Sequence, residues 1–479
     1  MTKIITAITF LLCTLSFSQD YSLENIKWPK GAVLEVGDLK LTGDGKVYVC
    51  TRQGDVWVLK NGHWKKFAMG LQEPLGIELG GKGELYVLQR PELTRLLDEN
   101  GDDVADVYHT FSTGWGFSAN YHEYAMGLTR DKLGNFYFGL GLPYSRIEHN
   151  KFKGRWLGTM DVADRGCYLK VDAKTGEFSH FAYGVREPVG AVTSKDGDIF
   201  MTDTQGSFVA TNYVIHVEKG DFLGHPDSLF WNKDLAEKTD SFLKIADLEK
   251  RDAEINKLRK RPVIYIPYRE MGSSIGSIQV DDTNGKFGPF TGQYFIPDVI
   301  QPLIMRANFE KVKGVYQGAV FSFYNDVELG GGSLKLEFDK DGAMWIGQTA
   351  RGWGNGEGLK KLKWNGTTSM DVKAMNMVEN GFKISFTKPA DEKTAADKNN
   401  YTFVIFKYDF TYKYNAKQMN RTALTVKSVK LADDKMSAIV EIDGLYKDCV
   451  VGFDYSRIKS AEGDFCTHKK AYYTINELK

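Results

Sequence analysis

His122, one of eight histidines in 479 residues, lies in the stretch NYHEYAMGL. An imidazole titrates near neutrality, so this one is a candidate general base for a hydroxyl proton. The alternative is a ring that only satisfies a neighbouring carbonyl. Arg186, in GVREPVGAV, has Gln72 as its counterpart in GLQEPLGIEL. The Glu-Pro that follows is therefore a repeat feature and the arginine is the special residue. A fixed guanidinium at this place can clamp a carboxylate or a sugar oxygen. Arg306 in PLIMRANF and Arg351 in QTARGWGNG complete a set of cations. Converging, they would make an anion-binding floor for a cofactor; the alternative is a pair of surface ion-pair partners. Trp115, Tyr121, Tyr124 and Trp353 offer flat faces of the kind on which a sugar ring stacks, or else ordinary packing.

Asp98, Asn100, Asp102 and Asp106 fall at positions one, three, five and nine of the run DENGDDVAD, with Gly101 allowing a tight fold. Calcium takes about six to eight oxygens on such a spacing, so the loop is a candidate calcium site. The bidentate Glu that closes an EF-hand is missing, and a plain acidic turn between strands is the alternative. No C-x-x-C-H occurs, which excludes an attached c-type haem. Lys plus Arg equals Asp plus Glu at 62 each, so there is no net field to recruit nucleic acid or an anionic membrane surface.

A repeated element must hold these residues. TGDGKVYVCTRQGDVWVL from Thr42 recurs as GGKGELYVLQRPELTRLL from Gly80, DKLGNFYFGLGLPYSRI from Asp131, SKDGDIFMTDTQGSF from Ser194 and DKDGAMWIGQTARGWGNGEGLKKL from Asp339. A degenerate copy, GKFGPFTGQYFIPDVIQPLIMRANF, starts at Gly285. Each copy is a turn feeding a half-buried strand and its partner, the inner part of one propeller blade. Six copies predict six blades. Ahead of the degenerate copy, Phe242, Ile245, Leu248, Ile255 and Leu258 recur at helical intervals, which predicts a helical insertion that either rims a pocket or decorates the surface.

Composition changes after Trp364: all nine Trp and eleven of twelve Pro precede Met370, and four Gly follow it. Alternating stretches such as GFKISFTKP and CVVGFDYSRI predict a small sandwich there. The expected fold is all-β, with a signal peptide over 1–18, a six-bladed β-propeller with a helical insertion over 19–366 and an Ig-like β-sandwich over 370–479. The leader carries Lys3, a mostly apolar run from Ile4 to Leu15, and Ser16-Phe17-Ser18 before Gln19, so an exported, periplasmic or extracellular protein is expected. Cys13 follows Leu12, where a lipid-attachment site wants a small residue. No later segment approaches the length of a spanning helix. Cys449 and Cys466 lie on predicted strands and could meet across a sheet, whereas Cys50 and Cys167 read as buried thiols.

The stretches NYHEYAMGLTRDKLGNFYFGLG, GVREPVGAVTSKDGDIFMTD, VEKGDFLGHP and SSIGSIQVDDTNGKFGPFTGQYFIPDVIQPLIMRANF resemble the soluble glucose/sorbosone dehydrogenase family of quinoprotein propellers. They resemble more closely the secreted propellers of environmental bacteria described as dehydrogenases. The resemblance covers much of Gly31 to Trp364 and no part of the sandwich. It implies that His122 stands where the family has its catalytic base, which accepts the sugar hydroxyl proton as hydride moves to pyrroloquinoline quinone (PQQ). It likewise implies that Arg186 matches the family's active-site arginine and Arg306 one of those that hold the quinone carboxylates. Two positions depart from the pattern. TDTQGSFVATNYVIHV offers Asp203 and then Thr211-Asn212 where the family's calcium-and-quinone loop has a Glu, and His225 stands where the family usually has Trp. The expectation is a secreted oxidoreductase for a sugar or polyol, using PQQ, calcium and an external electron acceptor. A non-catalytic carbohydrate-binding propeller and a non-redox carbohydrate lyase or hydrolase using His122 are the alternatives.

Overall fold

The computed structural model describes residues 20–120, 122–143, 162–232, 235–350, 354–411 and 416–479; the expected leader, 1–18, lies outside them. The turn inside each repeat is set by a glycine. Gly45, Gly134, Gly197 and Gly342 have φ of 88°, 89°, 95° and 92°, a region that a Cβ disfavours. Each donates its N–H at 3.0 Å to the carbonyl three residues back, on Thr42, Asp131, Ser194 and Asp339.

The strands joined by these turns form five separate four-stranded antiparallel sheets. The first blade is Val36–Leu41, Val47–Thr51, Val56–Lys60 and His63–Ala68; the second is Gly76–Leu79, Glu84–Leu88, Glu92–Leu97 and Val107–Thr113. The third is Ala125–Arg130, Phe136–Leu140, Cys167–Val171 and Phe178–Tyr183; the fourth is Pro188–Thr193, Ile199–Asp203, Asn212–Val217 and Ile264–Ile266. A closing blade joins Ser333–Phe338, Met344–Gln348 and Gly358–Trp364 to the N-terminal strand Tyr21–Ile26, in register from Tyr21 opposite Trp364 to Ile26 opposite Leu359. Pairing the first strand with the last in this way removes two open edges.

The degenerate repeat behaves differently. Its strands Gln279–Val280, Tyr294–Pro297, Leu303–Val312 and Val315–Asn325 belong to a curled sheet of eleven strands that runs on through the C-terminal segment. Gly318 to Phe321 pair with Thr474 to Ala471. The expectation of six separate blades and a detached sandwich is corrected here. Val315–Asn325 is an 11-residue strand whose outer edge would otherwise be unpaired, and the C-terminal strand Lys470–Ile475 covers it. Phe321 and Ala319 sit in one buried cluster with Phe382, Phe403 and Phe453 of the C-terminal strands. The insertion forms two short helices, Ala236–Leu243 and Leu248–Asn256, the second capped by the Asp247 carboxylate. They bury Phe242 and Ile255 against Phe208, Phe222 and Leu229. No helix among the described residues is long and apolar enough to cross a membrane. Cys50, Cys167, Cys449 and Cys466 are all buried and free.

Candidate functional site at the axial mouth

In every blade the first strand begins at the end where the second strand finishes. Loops that precede a first strand therefore share one face with loops that follow a second strand. The first strands line the axis so closely that a Cβ at Gly37 would lie 2.1 Å from the Pro74 oxygen, and one at Gly190 2.3 Å from Ser277 Cα. Below the mouth the axis is filled by Leu75, Tyr124, Met126, Val189, Val299 and Leu334. His122 precedes Ala125–Arg130 and Arg186 precedes Pro188–Thr193, so both are delivered to this face.

The two meet on a third residue. Glu187 Oε1 is 3.3 Å from His122 Nε2, and Glu187 Oε2 accepts a 2.9 Å bond from an Arg186 guanidinium nitrogen. The other imidazole nitrogen, Nδ1, is 3.1 Å from the Leu142 carbonyl oxygen. A carbonyl can only accept, so Nδ1 carries a hydrogen and Nε2 faces the carboxyl group. The Glu187 carboxyl group is then placed to exchange a proton with Nε2. His122, Arg186 and Glu187 are 2%, 6% and 6% exposed, and shielding from bulk water strengthens such a pair.

Asp203 holds this loop in place. Its carboxylate accepts from the Arg186 N–H at 2.8 Å and the Glu187 N–H at 2.7 Å, and burial pushes it up to about 6 despite those bonds. Asp298 serves the eleven-stranded sheet in the same way, accepting from the N–H groups of Ser273 and Ser274. Gln89 accepts from the Gln72 N–H in the second blade. The residue at or just past the end of the second strand is thus a latch for the loop beside it, and Asp203 is occupied as a latch. Thr211 donates to the Ile266 carbonyl and the Asn212 side chain accepts from the Gln205 N–H. His225 caps the turn before Pro226–Trp231, accepting from the Asp227 N–H. Burial, with the Arg186 and Arg259 charges, holds its imidazole well below the ordinary value.

Glutamates at equivalent places are what sequence reasoning missed. Glu35, Glu73, Glu123 and Glu187 each stand two to four residues ahead of a glycine in the first strand of blades one to four. Each faces an arginine on the same face. Arg52 binds Glu35, and its other end lies 3.5 Å from Glu73. Arg90 binds Glu73. Arg165, fully buried, lies 4.0 Å from Glu123 and donates to the Tyr124 carbonyl at 2.9 Å. Arg186 binds Glu187. At the corresponding place the eleven-stranded sheet has Ser273 and Ser274 and the closing blade has Gly332 and Ser333. The mouth is therefore a charged, pairwise-balanced sector facing a sector of small residues. Glu-Pro, visible twice in the sequence, was the available signal.

The structure does not bring Arg306 to this mouth. Its guanidinium is fully buried between the Phe290 and Phe321 rings, at 4.1 and 4.2 Å. It donates to Gln293 at 3.0 Å, to the Lys373 carbonyl at 2.9 Å and to the Val372 carbonyl, and lies 3.7 Å from Asp371. The expected cofactor ligand is a tie to the C-terminal segment. Trp115 is buried too, donating to the Arg90 carbonyl and packing on Phe138 and Phe178, so it offers no open face. Tyr124 lies under Arg90, 5.0 Å from its guanidinium. Arg351, Tyr121 and Trp353 lie outside the described residues.

In the acidic loop, Asp98 accepts from the N–H groups of Gly101, Asp102 and Asp103, Asn100 from that of Asp102, Asp102 from that of Val104, and Asp106 from that of Glu99. Among the described residues no group of three or more His, Cys, Asp or Glu is placed to hold a metal ion. The loop does not gather its carboxylates into the expected calcium cage, because each is turned onto the backbone.

No family model matches the sequence, and no curated protein matches it. Solved structures do match. A candidate oxidoreductase (glucose dehydrogenase) from Thermus thermophilus aligns with TM-score 0.50 at 14% identity, covering 71% of this chain and 99% of that one. The PQQ domain of pyranose dehydrogenase from Coprinopsis cinerea, in its holo form, aligns with TM-score 0.52 at 12% identity, covering 72% and 96%. The chain shares their propeller fold; at such identity the likeness extends to the fold alone.

PQQ is a polycarboxylate, and a mouth that holds it needs cations left over to face those groups. Arg52, Arg90 and Arg186 already bind glutamates, Arg165 is fully buried 4.0 Å from Glu123 with two nitrogens lacking a hydrogen-bond partner among the described residues, Arg306 is spent elsewhere, and the Asp203 oxygens hold backbone N–H groups. The residues described do not fit the quinone, or a calcium beside it.

Proposed function

We propose that this propeller acts on a hydroxyl group of a sugar or polyol at its axial mouth, with the His122–Glu187 pair as proton-transfer group and Arg186 holding the pair in line. One observation carries the reading: Nδ1 of His122 is fixed on a carbonyl while Nε2 faces, at 3.3 Å, a carboxyl group clamped by a guanidinium. Such a pair can give or take one proton without its heavy atoms moving, and general acid–base assistance of this kind is worth about 10²–10⁴-fold in rate. The fold is shared with sugar dehydrogenases, which supports a sugar-oxidising activity with an external acceptor as the form of the chemistry. We derive no step through PQQ, which the described residues do not fit. We take the strands from Gln279–Val280 to Val315–Asn325 as the counterpart of a sixth blade and the leader over 1–18 as an export signal; an intact Met1 on natively isolated protein would contradict that export.

A binding-only mouth is the second reading. His122 is only 2% exposed and has both ring nitrogens engaged, as a structural histidine would. Screening sugars and polyols with a dye acceptor and by thermal shift, on the full chain and on His122→Ala, separates the two. An enzyme loses turnover by at least about 10² in the variant. A binding module shows no turnover and loses only about 0.5–1.5 kcal/mol of affinity with one neutral hydrogen bond.

A further inference from the structure

We infer that the mouth is a charge-compensated ring that admits an uncharged ligand and rejects the polycarboxylate quinone that its fold neighbours suggest. This rests on the reading of the mouth as the ligand site, and its test is arranged to tell the two apart. Four consecutive blades each bring a glutamate to the mouth; Arg52, Arg90 and Arg186 pair with three of them, and Arg165 lies 4.0 Å from the fourth, Glu123. Three of those arginines come from loops that follow a second strand, and the fourth, Arg186, from the loop that also supplies its partner.

The compensation is local rather than an average over the face. Glu73 lies between Arg90 and Arg52, and Glu187 between Arg186 and His122. An anionic group brought to Arg52, Arg90 or Arg186 meets a carboxylate already on the guanidinium. It would have to displace that carboxylate and leave it poorly hydrated, which costs more than an unpaired cation would return. A sugar asks for no such exchange. Its hydroxyls can donate to carboxylate lone pairs, leaving each ion pair intact. Ser273, Ser274 and Ser333 on the opposite sector add small side chains.

The charge argument makes an inverse prediction. Glu187→Gln keeps the shape of the side chain but leaves Arg186 uncompensated, so it should create anion affinity where the native protein has none. Glu73→Gln should do the same through Arg90 and Arg52. The probe is PQQ itself, with and without calcium, titrated into full-length protein at low salt and followed by tryptophan quenching and equilibrium dialysis. The expected results are no saturable PQQ binding by the native protein at micromolar concentration, calcium or not, and at least tenfold tighter binding by a glutamate variant that weakens as salt rises. Stoichiometric micromolar binding by the native protein overturns the inference. So does a failure of both folded variants to gain affinity, since charge would then not be what excludes the quinone. A parallel thermal-shift series with sugars reports on the mouth separately. If His122→Ala and native protein respond identically to every sugar that binds, the reading of the mouth as ligand site fails, whatever PQQ does.

Discussion

Replacing Arg306 by Met asks whether this residue is a cofactor ligand or a structural tie. The side chain is wholly buried, donates to Gln293 and to the Val372 and Lys373 carbonyls, and lies 3.7 Å from Asp371. Methionine keeps much of the packing between Phe290 and Phe321 but supplies no donor. Two backbone carbonyls and an amide oxygen then lose a partner, and Asp371 keeps only its contact with the His468 ring, 2.7 Å away, among the described side chains of basic residues. Removing one side of a buried ion pair costs about 3–5 kcal/mol, most of it from the charge left behind. That is a large fraction of the stability of a typical domain, about 5–15 kcal/mol. Urea unfolding followed by circular dichroism and tryptophan fluorescence should show a midpoint lowered by that amount, with the C-terminal segment loosening first. Arg306→Lys should recover part of it. A loss under about 1 kcal/mol, combined with lost ligand binding at the mouth, would refute the structural assignment and restore the cofactor one.

The same junction makes truncation informative: a chain ending at Gly366 exposes the edge at Gly318–Phe321 and strips Arg306 of its carbonyls, so it should be insoluble or molten, and a soluble, cooperatively folding product would contradict this. At the opposite end of the axis Glu337 is pushed up to about 7, by burial first, with Lys40 opposing. Native protein therefore holds a proton there between about pH 4.5 and 7 that the unfolded chain has released, and that contribution to stability falls as pH rises through the window. Glu337→Gln should gain stability relative to native protein from about pH 5 to about pH 8, as measured by melting temperature, and an unchanged difference would count against the raised value. In the acidic loop, Asp98→Ala should lower the melting temperature equally with and without calcium, because what it removes is the acceptor for the N–H groups of Gly101, Asp102 and Asp103; a loss seen only with calcium would point back to a metal cage.

Turns and inner strands are legible in the sequence because their causes are local. A glycine at positive φ and an alternating strand are written within about ten residues, and they suffice to put His122 and Arg186 on the same face. What joins those two is not legible. Glu187 reads as a repeat feature, yet it is the group on which both side chains close. Its role depends on Asp203 turning the loop toward the axis, a contact across 16 residues. Arg306 misleads for a related reason. Its position in the degenerate repeat implies the mouth, whereas its partners come from a segment 66 and 67 residues further on. The break in composition at Met370 is real but does not mark a gap between sheets, because edge pairing as distant as Gly318 with Thr474 leaves no periodic trace in either strand.

The central claim is that His122, Glu187 and Arg186 form one proton-transfer unit, and the pH–rate profile of turnover on the best sugar or polyol tests it most directly in native protein, His122→Ala and Glu187→Gln. The account expects both variants to fold and to lose at least about 10² in kcat, with the pH dependence of the native enzyme altered in Glu187→Gln because the carboxylate no longer faces Nε2. Folded variants that keep native kcat and the native pH profile would contradict it.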